Sequence, residues 1–363
     1  MPLTDRGAVR TGLIGFGFAG RTFHAPLLRT TPGLQLCAVA SRQPEAVQAA
    51  LGAEVQVHDT PQALIARPDL DVVVIASPND SHHPLARAAL LAGKAVVVDK
   101  PFTLDTAQAL DLVTLAEQRG LLLSVFHNRR WDGDFLTLQA LLASGRLGRI
   151  VQFESHFDRF RPVVRPRWRE AAGPGGGLWI DLGPHLLDQA LQLFGPPLAL
   201  RADLATLRDG GLADDWFDVQ LRHADGLRVQ LRASALAAHP GPRFVLQGQR
   251  GGWRQWGLDA QEDALRAGAL PEPAHPERWG QGGREGELLL APGGAAGDAL
   301  LPPQPWPLLP GRYPDYYRDI VRAWRGEGPN PVPPRQALAV MQGLDLARLS
   351  AARGCELPWP DGG

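Results

Sequence analysis

Lysine is almost absent from this 363-residue chain: only Lys94 and Lys100 interrupt a set of 37 Lys and Arg residues. A drift that writes nearly every cation as arginine spares a lysine where guanidinium cannot substitute. Proton transfer is the clearest such job, because burial tunes an ammonium toward neutrality while a guanidinium stays charged. Lys100, in Val97-Val98-Asp99-Lys100-Pro101, is therefore the first candidate for chemistry; the plainer alternative is an ammonium that only pairs with Asp99. Cysteine is equally scarce. Cys37 and Cys355 make no disulfide framework, which suits a reducing compartment. Net charge is close to zero, at −1, and the arginines form no basic blocks, so nucleic acid is not an expected partner. No run of 18 apolar residues occurs, and Met1 to Arg6 lack the apolar core of a secretory signal. The expectation is a cytoplasmic protein with no membrane partner.

What is present is ordinary globular material, 44% hydrophobic and 21% charged, with length for about two domains of roughly 150 residues. Residues 9–127 alternate short apolar runs with amphipathic stretches, the pattern of repeated βα units on a mainly parallel sheet. Strands are expected at 10–14, 34–41, 54–58, 71–77, 95–99 and 121–127, with helices at 21–30, 44–50, 61–67, 81–92 and 104–119. The runs at Val72–Ile75 and Ala95–Val98 are apolar on both faces, as buried parallel strands require. Beyond residue 128 the rhythm changes to a helix at 132–144 and longer, alternating strands at 148–158, 198–207, 215–222, 227–237 and 243–247. The Pro- and Gly-rich segment 268–312 reads as a long loop, a lid or an interface arm, before helices at 314–325 and 334–352. The expected fold is α/β: an N-terminal Rossmann dinucleotide-binding domain, 1–127, and a C-terminal α+β domain with a large, mainly antiparallel open sheet, 128–363.

Gly15-Phe16-Gly17-Phe18-Ala19-Gly20 lies directly between the first strand and the first helix. In that context the first glycine allows the tight turn, the second lets a pyrophosphate approach the backbone, and the third lets the helix pack close. A ligand-free glycine turn is the alternative. About 20 residues on, where an NAD enzyme offers a carboxylate to the ribose 2′-OH, this chain offers Ser41-Arg42. A hydroxyl and a guanidinium suit the extra phosphate of NADP(H). If Arg42 is only a solvated cation, NAD(H) serves as well.

In Gly175-Gly176-Gly177-Leu178-Trp179-Ile180-Asp181-Leu182-Gly183-Pro184-His185, a helix over about 181–194 puts Asp181, His185 and Asp188 on one face. Pro184 argues that these groups sit near the helix start. The alternative makes Asp181 an N-cap and His185 a surface histidine.

The glycine turn, Ser77-Pro78-Asn79-Asp80-Ser81-His82, Asp99-Lys100-Pro101 and the glycine run ending in Asp181-x-x-x-His185, in that order, resemble the Gfo/Idh/MocA family of sugar and cyclitol oxidoreductases. Leu123 to Asp132, Arg167-Trp168-Arg169-Glu170 and Gly257 to Asp263 resemble more narrowly the branch that includes NADP-dependent scyllo-inositol dehydrogenases. The resemblance implies hydride transfer between the nicotinamide and a secondary alcohol or ketone of a polyol, cyclitol or sugar. It implies Lys100 beside the substrate hydroxyl, His185 as acid/base, and Asp181 binding substrate and orienting that histidine. Ser77, Pro78, Asn79, His82, Asp99 and Trp168 are implied on the cofactor side. Asp99 stands where the family pattern has glutamate. Asn128 and the arginines at 159, 161, 165 and 167 are candidates for choosing the substrate. The resemblance also implies homo-oligomers, dimers or tetramers, formed through the second sheet's exposed face; Trp216, Phe217 and Trp253 are candidate aromatic anchors there, although isolated aromatics are more often core.

Three other readings compete. His127, His156, Asp181, His185 and Asp188 offer N/O donors to a metal ion, although their spacing does not by itself converge, and the expectation is no metal. A nucleotide sensor or scaffold would use only the first domain. A minority chemistry of the family, glycoside cleavage through transient hydride transfer, consumes no net cofactor.

Overall fold

The computed structural model of the chain describes residues 7–173, 175–294 and 299–360. Packing divides it into two units. The first comprises Met1–Trp131, Ala260–Gln281 and Gly311–Leu338; the second comprises Asp132–Asp259, Gly282–Pro310 and Ala339–Gly363. The expected cut after residue 127 falls just before the end of the first stretch, and two later stretches return to the first unit.

The first unit is built on β1 (Val9–Ile14), β2 (Leu34–Ala40), β3 (Gln56–His58), β4 (Val72–Ile75), β5 (Ala95–Asp99) and β6 (Leu123–Phe126). They form one sheet in the order β3-β2-β1-β4-β5-β6, every pairing parallel. Every residue of β4 is buried, as are the first four of β5, which is why these runs are apolar on both faces. The crossovers are α1 (Ala25–Thr30), entered through a π-helical turn over Gly20–His24, α2 (Pro44–Leu51), α3 (Pro61–Ile65), α4 (His82–Leu91) and α5 (Thr106–Arg119). Thr60 and Asp105 cap α3 and α5 by accepting the amides of Ala63 and Gln108.

One buried side chain knits the returning segments to this unit. Gln261 is 1% exposed; its amide donates to the Trp131 carbonyl at 3.0 Å and accepts from Trp279 Nε1 at 2.8 Å and the Tyr313 amide at 2.7 Å. The helix Tyr313–Arg325 then places Tyr316 and Tyr317 against Phe126 at the end of β6. Long-range pairing of this kind has no local signature, so a consecutive division was the natural reading of the chain.

The second unit opens with α6 (Gly133–Ala143) and β7 (Ile150–His156), followed by α7 (Leu178–Phe194). Eight further strands complete its sheet: β8 (Ala199–Ala205), β9 (Trp216–Arg222), β10 (Arg228–Ser234), β11 (Phe244–Gly248), β12 (Gly251–Gln255), β13 (Gly286–Leu290), β14 (Gln304–Trp306) and β15 (Leu357–Pro358). Their order is β14-β13-β12-β11-β7-β10-β9-β8-β15. The pairings are antiparallel except β7 with β10, which is parallel. α7 packs on β9 and β10. Phe217, Val219 and Leu221 of β9 are buried, while Gln220 between them is exposed, the alternation of a sheet with one covered face.

One expectation is corrected. The segment 268–312 contains β13 and β14, and a further strand, β12, precedes it; Leu288 of β13 is fully buried. These strands are short and interrupted by Gly and Pro, and Pro305 is tolerated because β14 is the sheet edge. Phe217 and Trp253 are buried in the core, the more usual place of isolated aromatics, and Trp216 is part-exposed. Leu288→Ala is expected to cost about 2–5 kcal/mol in a denaturant titration. A loss under about 0.5 kcal/mol, the range of ordinary surface changes, would mean that the segment does not pack as a strand.

Candidate functional site

The first unit gathers its candidate residues at the carboxyl ends of three adjacent strands, β1, β4 and β5, where open α/β sheets bind ligands. After β1 the three glycines have three different surroundings. Gly15 has φ +96°, and a β-carbon there would lie 2.5 Å from the Ala76 carbonyl oxygen. A β-carbon on Gly20 would collide with the Gly15 carbonyl oxygen. Gly17 has no atom within 4 Å of where its β-carbon would be. The first and third glycines are thus needed by the fold, while the second leaves bare backbone open to a ligand. That is the steric cradle a dinucleotide's pyrophosphate requires. Phe16 is buried, Ala19 half-buried and Phe18 exposed.

After β4 come Ser77, Pro78 and a short turn over Asn79–Ser81. Asn79 is buried, and Ser77 Oγ lies 2.6 Å from Ser81 Oγ. His82 is wholly buried, with Nδ1 2.8 Å from the Pro101 carbonyl and Nε2 3.0 Å from the Ser77 carbonyl. Burial lowers its pKa against the opposing pull of Asp99 and the two carbonyls. His82 is therefore neutral near pH 7 and donates through one nitrogen only.

After β5, Asp99 accepts the Lys100 amide at 2.8 Å and lies 3.8 Å from His24 Nε2. His24 Nδ1 is 2.6 Å from Tyr317 Oη. Burial pushes the Asp99 carboxyl up, but the His24 ring beside it and Lys100 outweigh that and hold it below the usual range. Tyr317 is held well above the ordinary phenol range by burial, with Tyr316 and Asp99 adding to it, so it stays protonated. Lys100 is half-buried at the end of this line. Sequence reading missed His24 and Tyr317. His24 lay one helical turn beyond Gly20, but Tyr317 is supplied from far along the chain.

β2 ends at Ala40, and the Ser41 amide donates to the His58 carbonyl at 3.0 Å. Ser41 Oγ accepts the Gln43 amide at 3.1 Å, and Arg42 is exposed. Asn128 is buried in the turn Asn128–Trp131. The side chain of Trp168 lies outside the described residues.

The second unit carries Asp181 and His185 on α7. This helix starts at Leu178, earlier than expected, so Asp181 is inside its first turn, not an N-cap, and Pro184 is interior. The start is set from elsewhere. Asp214 accepts the Trp179 amide at 2.6 Å, and its own carbonyl accepts the Leu178 amide at 2.7 Å. Burial pushes the Asp214 carboxyl up against the pull of that amide and of Arg348. The Asp181 side chain is 23% exposed, whereas His185 is 5% and Asp188 1% exposed. The expected stripe thus runs from a partly open end into the interior. Arg159 and Arg169 approach the Asp181 carboxylate at 4.0 and 3.6 Å. Among the described residues no group of three or more His, Cys, Asp and Glu side chains gathers as a metal site, and the donor set proposed from sequence is not brought together as one.

A parallel dinucleotide-type sheet with this glycine cradle, joined to a domain with an open sheet, defines a nicotinamide-nucleotide-binding oxidoreductase. Residues 9–127 match the family model for the oxidoreductase family's NAD-binding Rossmann fold, and residues 135–254 match the GFO/IDH/MocA C-terminal domain. The chain is 48% identical to the uncharacterized oxidoreductase YdgJ of Escherichia coli (strain K12), over 94% of this chain and 96% of that protein. It is 32% identical to scyllo-inositol 2-dehydrogenase (NADP(+)) IolW of Bacillus subtilis (strain 168), over 94% of each. A solved structure of YPO2259 from Yersinia pestis superposes with TM-score 0.92 at 47% identity, covering 98% of this chain and 99% of that one. The chain belongs to the Gfo/Idh/MocA oxidoreductase family.

The glycine surroundings predict two different phenotypes. Gly17→Ala should leave unfolding within about 0.5 kcal/mol of wild type and weaken reduced nicotinamide nucleotide in a fluorescence titration by about tenfold or more, roughly the value of one hydrogen bond. Gly15→Ala should cost about 1–3 kcal/mol of stability. Indistinguishable unfolding curves for the two variants would contradict these steric roles.

Proposed function

We propose that the chain is an NADP(H)-dependent dehydrogenase or reductase acting on a secondary alcohol or ketone of a small polyol, cyclitol or sugar. One observation carries this reading. The pyrophosphate cradle, the Ser77–Asn79 turn and Lys100 follow β1, β4 and β5, three neighbouring strands of one sheet. A cofactor seated on the glycines would have the scarce lysine at the same sheet end. The name of IolW, which specifies NADP(+) and an inositol, agrees with the cofactor and substrate class.

When bound, the nicotinamide supplies the acceptor or donor of the hydride. The protein's own residues manage the proton and the charge. In oxidation His185 takes the hydroxyl proton as the carbon–hydrogen bond breaks, and the Lys100 ammonium stabilises the charge developing on the same oxygen as it becomes a carbonyl. Asp181, one helical turn before His185, binds substrate hydroxyls and orients the imidazole. In reduction His185 returns the proton. The alcohol thus loses one hydride and one proton, and no other reactant is needed.

Ser41 and Arg42 hold the 2′-phosphate in this reading, because the end of β2 presents no carboxylate to repel it. The first unit is the cofactor domain and the second the substrate domain. Copies of the chain pair through the polar outer face of the nine-stranded sheet, where Gln152, Gln220 and Arg232 are exposed. No helix among the described residues is long and apolar enough to cross a membrane.

Lys100→Met and His185→Ala should each lower turnover by about 10²–10⁴-fold while NADPH affinity stays close to wild type. Wild-type turnover in both variants would reject the assignment. Nucleotide binding without turnover on any polyol or keto-sugar would favour a sensor. Separately, Arg42→Ala should raise the Kd for NADPH by about tenfold, the loss of one charge-assisted hydrogen bond, with NADH unaffected. Equal effects on both nucleotides would remove the basis for NADP(H) preference.

A further inference from the structure

The stretch that returns to the first unit after residue 259 brings an arginine to the glycine turn. α8 (Gln261–Arg266) packs against the π-helical turn Gly20–His24 that follows those glycines. Gln261 and Leu265, four residues apart and both buried, form its inward side. Arg266 ends the helix on the exposed side, and its guanidinium carbon stands 5.2 Å from the centre of the Phe18 ring. Phe18 directly follows Gly17, the glycine with open space where a β-carbon would be. Its exposed ring is backed edge-on by Phe23 at 5.8 Å.

This placement does little for the fold. The carboxylate nearest Arg266 is Glu262 on the same helix, 3.7 Å away and beyond hydrogen-bond length. The other oxygen of Glu262 accepts from Arg129 Nη2 at 2.8 Å. The Arg266 side chain is 51% exposed, and exposed ion pairs of this kind contribute little to stability. What the geometry does provide is a held charge with its donors in hand. An aromatic ring engages the charge of a guanidinium and accepts none of its N–H groups in the way an oxygen does, so those groups are kept for an oxyanion. Gly15 to Gly20 carry no charged side chain of their own. A diphosphate on that turn therefore draws its balancing cation from another part of the chain.

We infer that Arg266 is a cofactor-binding residue: from its seat against Phe18 it pairs with the diphosphate that lies on the Gly17 backbone, and the returning stretch closes the nucleotide site. This rests on the nicotinamide-nucleotide reading and adds a residue to it. Because NAD(H) and NADP(H) share the diphosphate, Arg266 serves both alike. It differs in this from Arg42, whose proposed contact is the 2′-phosphate. Turning Arg266 to a phosphate does not strand Glu262, which keeps Arg129.

The test titrates NADPH and NADH by fluorescence into the wild-type chain and Arg266→Gln. ADP-ribose, which has the diphosphate and no nicotinamide, is titrated by calorimetry. The Kd should rise by about tenfold for all three ligands, the loss of one charge-assisted hydrogen bond. The unfolding midpoint without nucleotide should stay at the wild-type value. Arg266→Lys keeps the charge and loses the planar fork, so it should recover part of the affinity. Phe18→Leu should weaken the same ligands, and adding Arg266→Gln to it should cost less than Arg266→Gln alone costs. Four outcomes would overturn the inference and leave the dinucleotide site standing: unchanged affinity in Arg266→Gln, a loss confined to NADPH, a lowered nucleotide-free unfolding midpoint, or fully additive losses in the double variant. No binding of either nucleotide by the wild-type chain would overturn the dinucleotide reading itself.

Discussion

The nucleotide half of this protein depends on one buried imidazole. His82 sits wholly inside the first unit with a carbonyl against each ring nitrogen, Ser77 from the loop after β4 and Pro101 from the turn after β5. The ring packs between the two loops and donates to a carbonyl of one of them, and its burial opposes a second charge beside Asp99 and Lys100. The loop carrying Asn79 and the turn carrying Lys100 thus pack on opposite sides of one buried ring. Behind them Asp99, His24 and Tyr317 form a second line of support. Asp99 keeps its negative charge there while Tyr317 stays protonated.

The second unit solves a different problem, how to start a helix at a fixed point beside a cleft. α7 is anchored by Asp214, a residue from the loop before β9, and the helix then runs along β9 and β10. Asp181 is delivered to the open end and His185 is buried one turn further in. The interior Pro184 leaves the Ile180 carbonyl without its usual helical donor. Packing of the buried flank, with Trp179, Leu186 and Leu187 almost wholly inaccessible, offsets that loss. The same architecture explains why arginines distant in sequence surround Asp181. The extension of β7, the turn at 168–170 and the loop after β8 all meet at the start of this helix.

Much of this was legible in the chain. The six parallel strands, the crossover helices and the glycine turn follow from local rules: apolar runs, caps and the intolerance of tight turns for a β-carbon. Lys100 stood out because lysine is so rare here, and the spacing of Asp181 and His185 was enough to put them on one helical face. Other features had no such signal. β12, β13 and β14 are short, carry glycine or proline, and are strands only because β11 already offers an edge to pair with. Tyr317, Gln261 and Asp214 look like ordinary helix or loop residues until the fold brings them to His24, Trp131 and Trp179.

The sequence by itself determined the class of fold, the pyrophosphate cradle and the identity of the chemical groups, since each rests on interactions between residues near one another along the chain. Only the tertiary structure decided which parts return to the first unit, where α7 begins, and that Arg159 and Arg169 stand beside Asp181. Those outcomes depend on contacts between residues tens to hundreds of positions apart, such as Arg208 with Glu170 or Tyr317 with His24. The residue types involved permit many partners, and chain topology alone selects one.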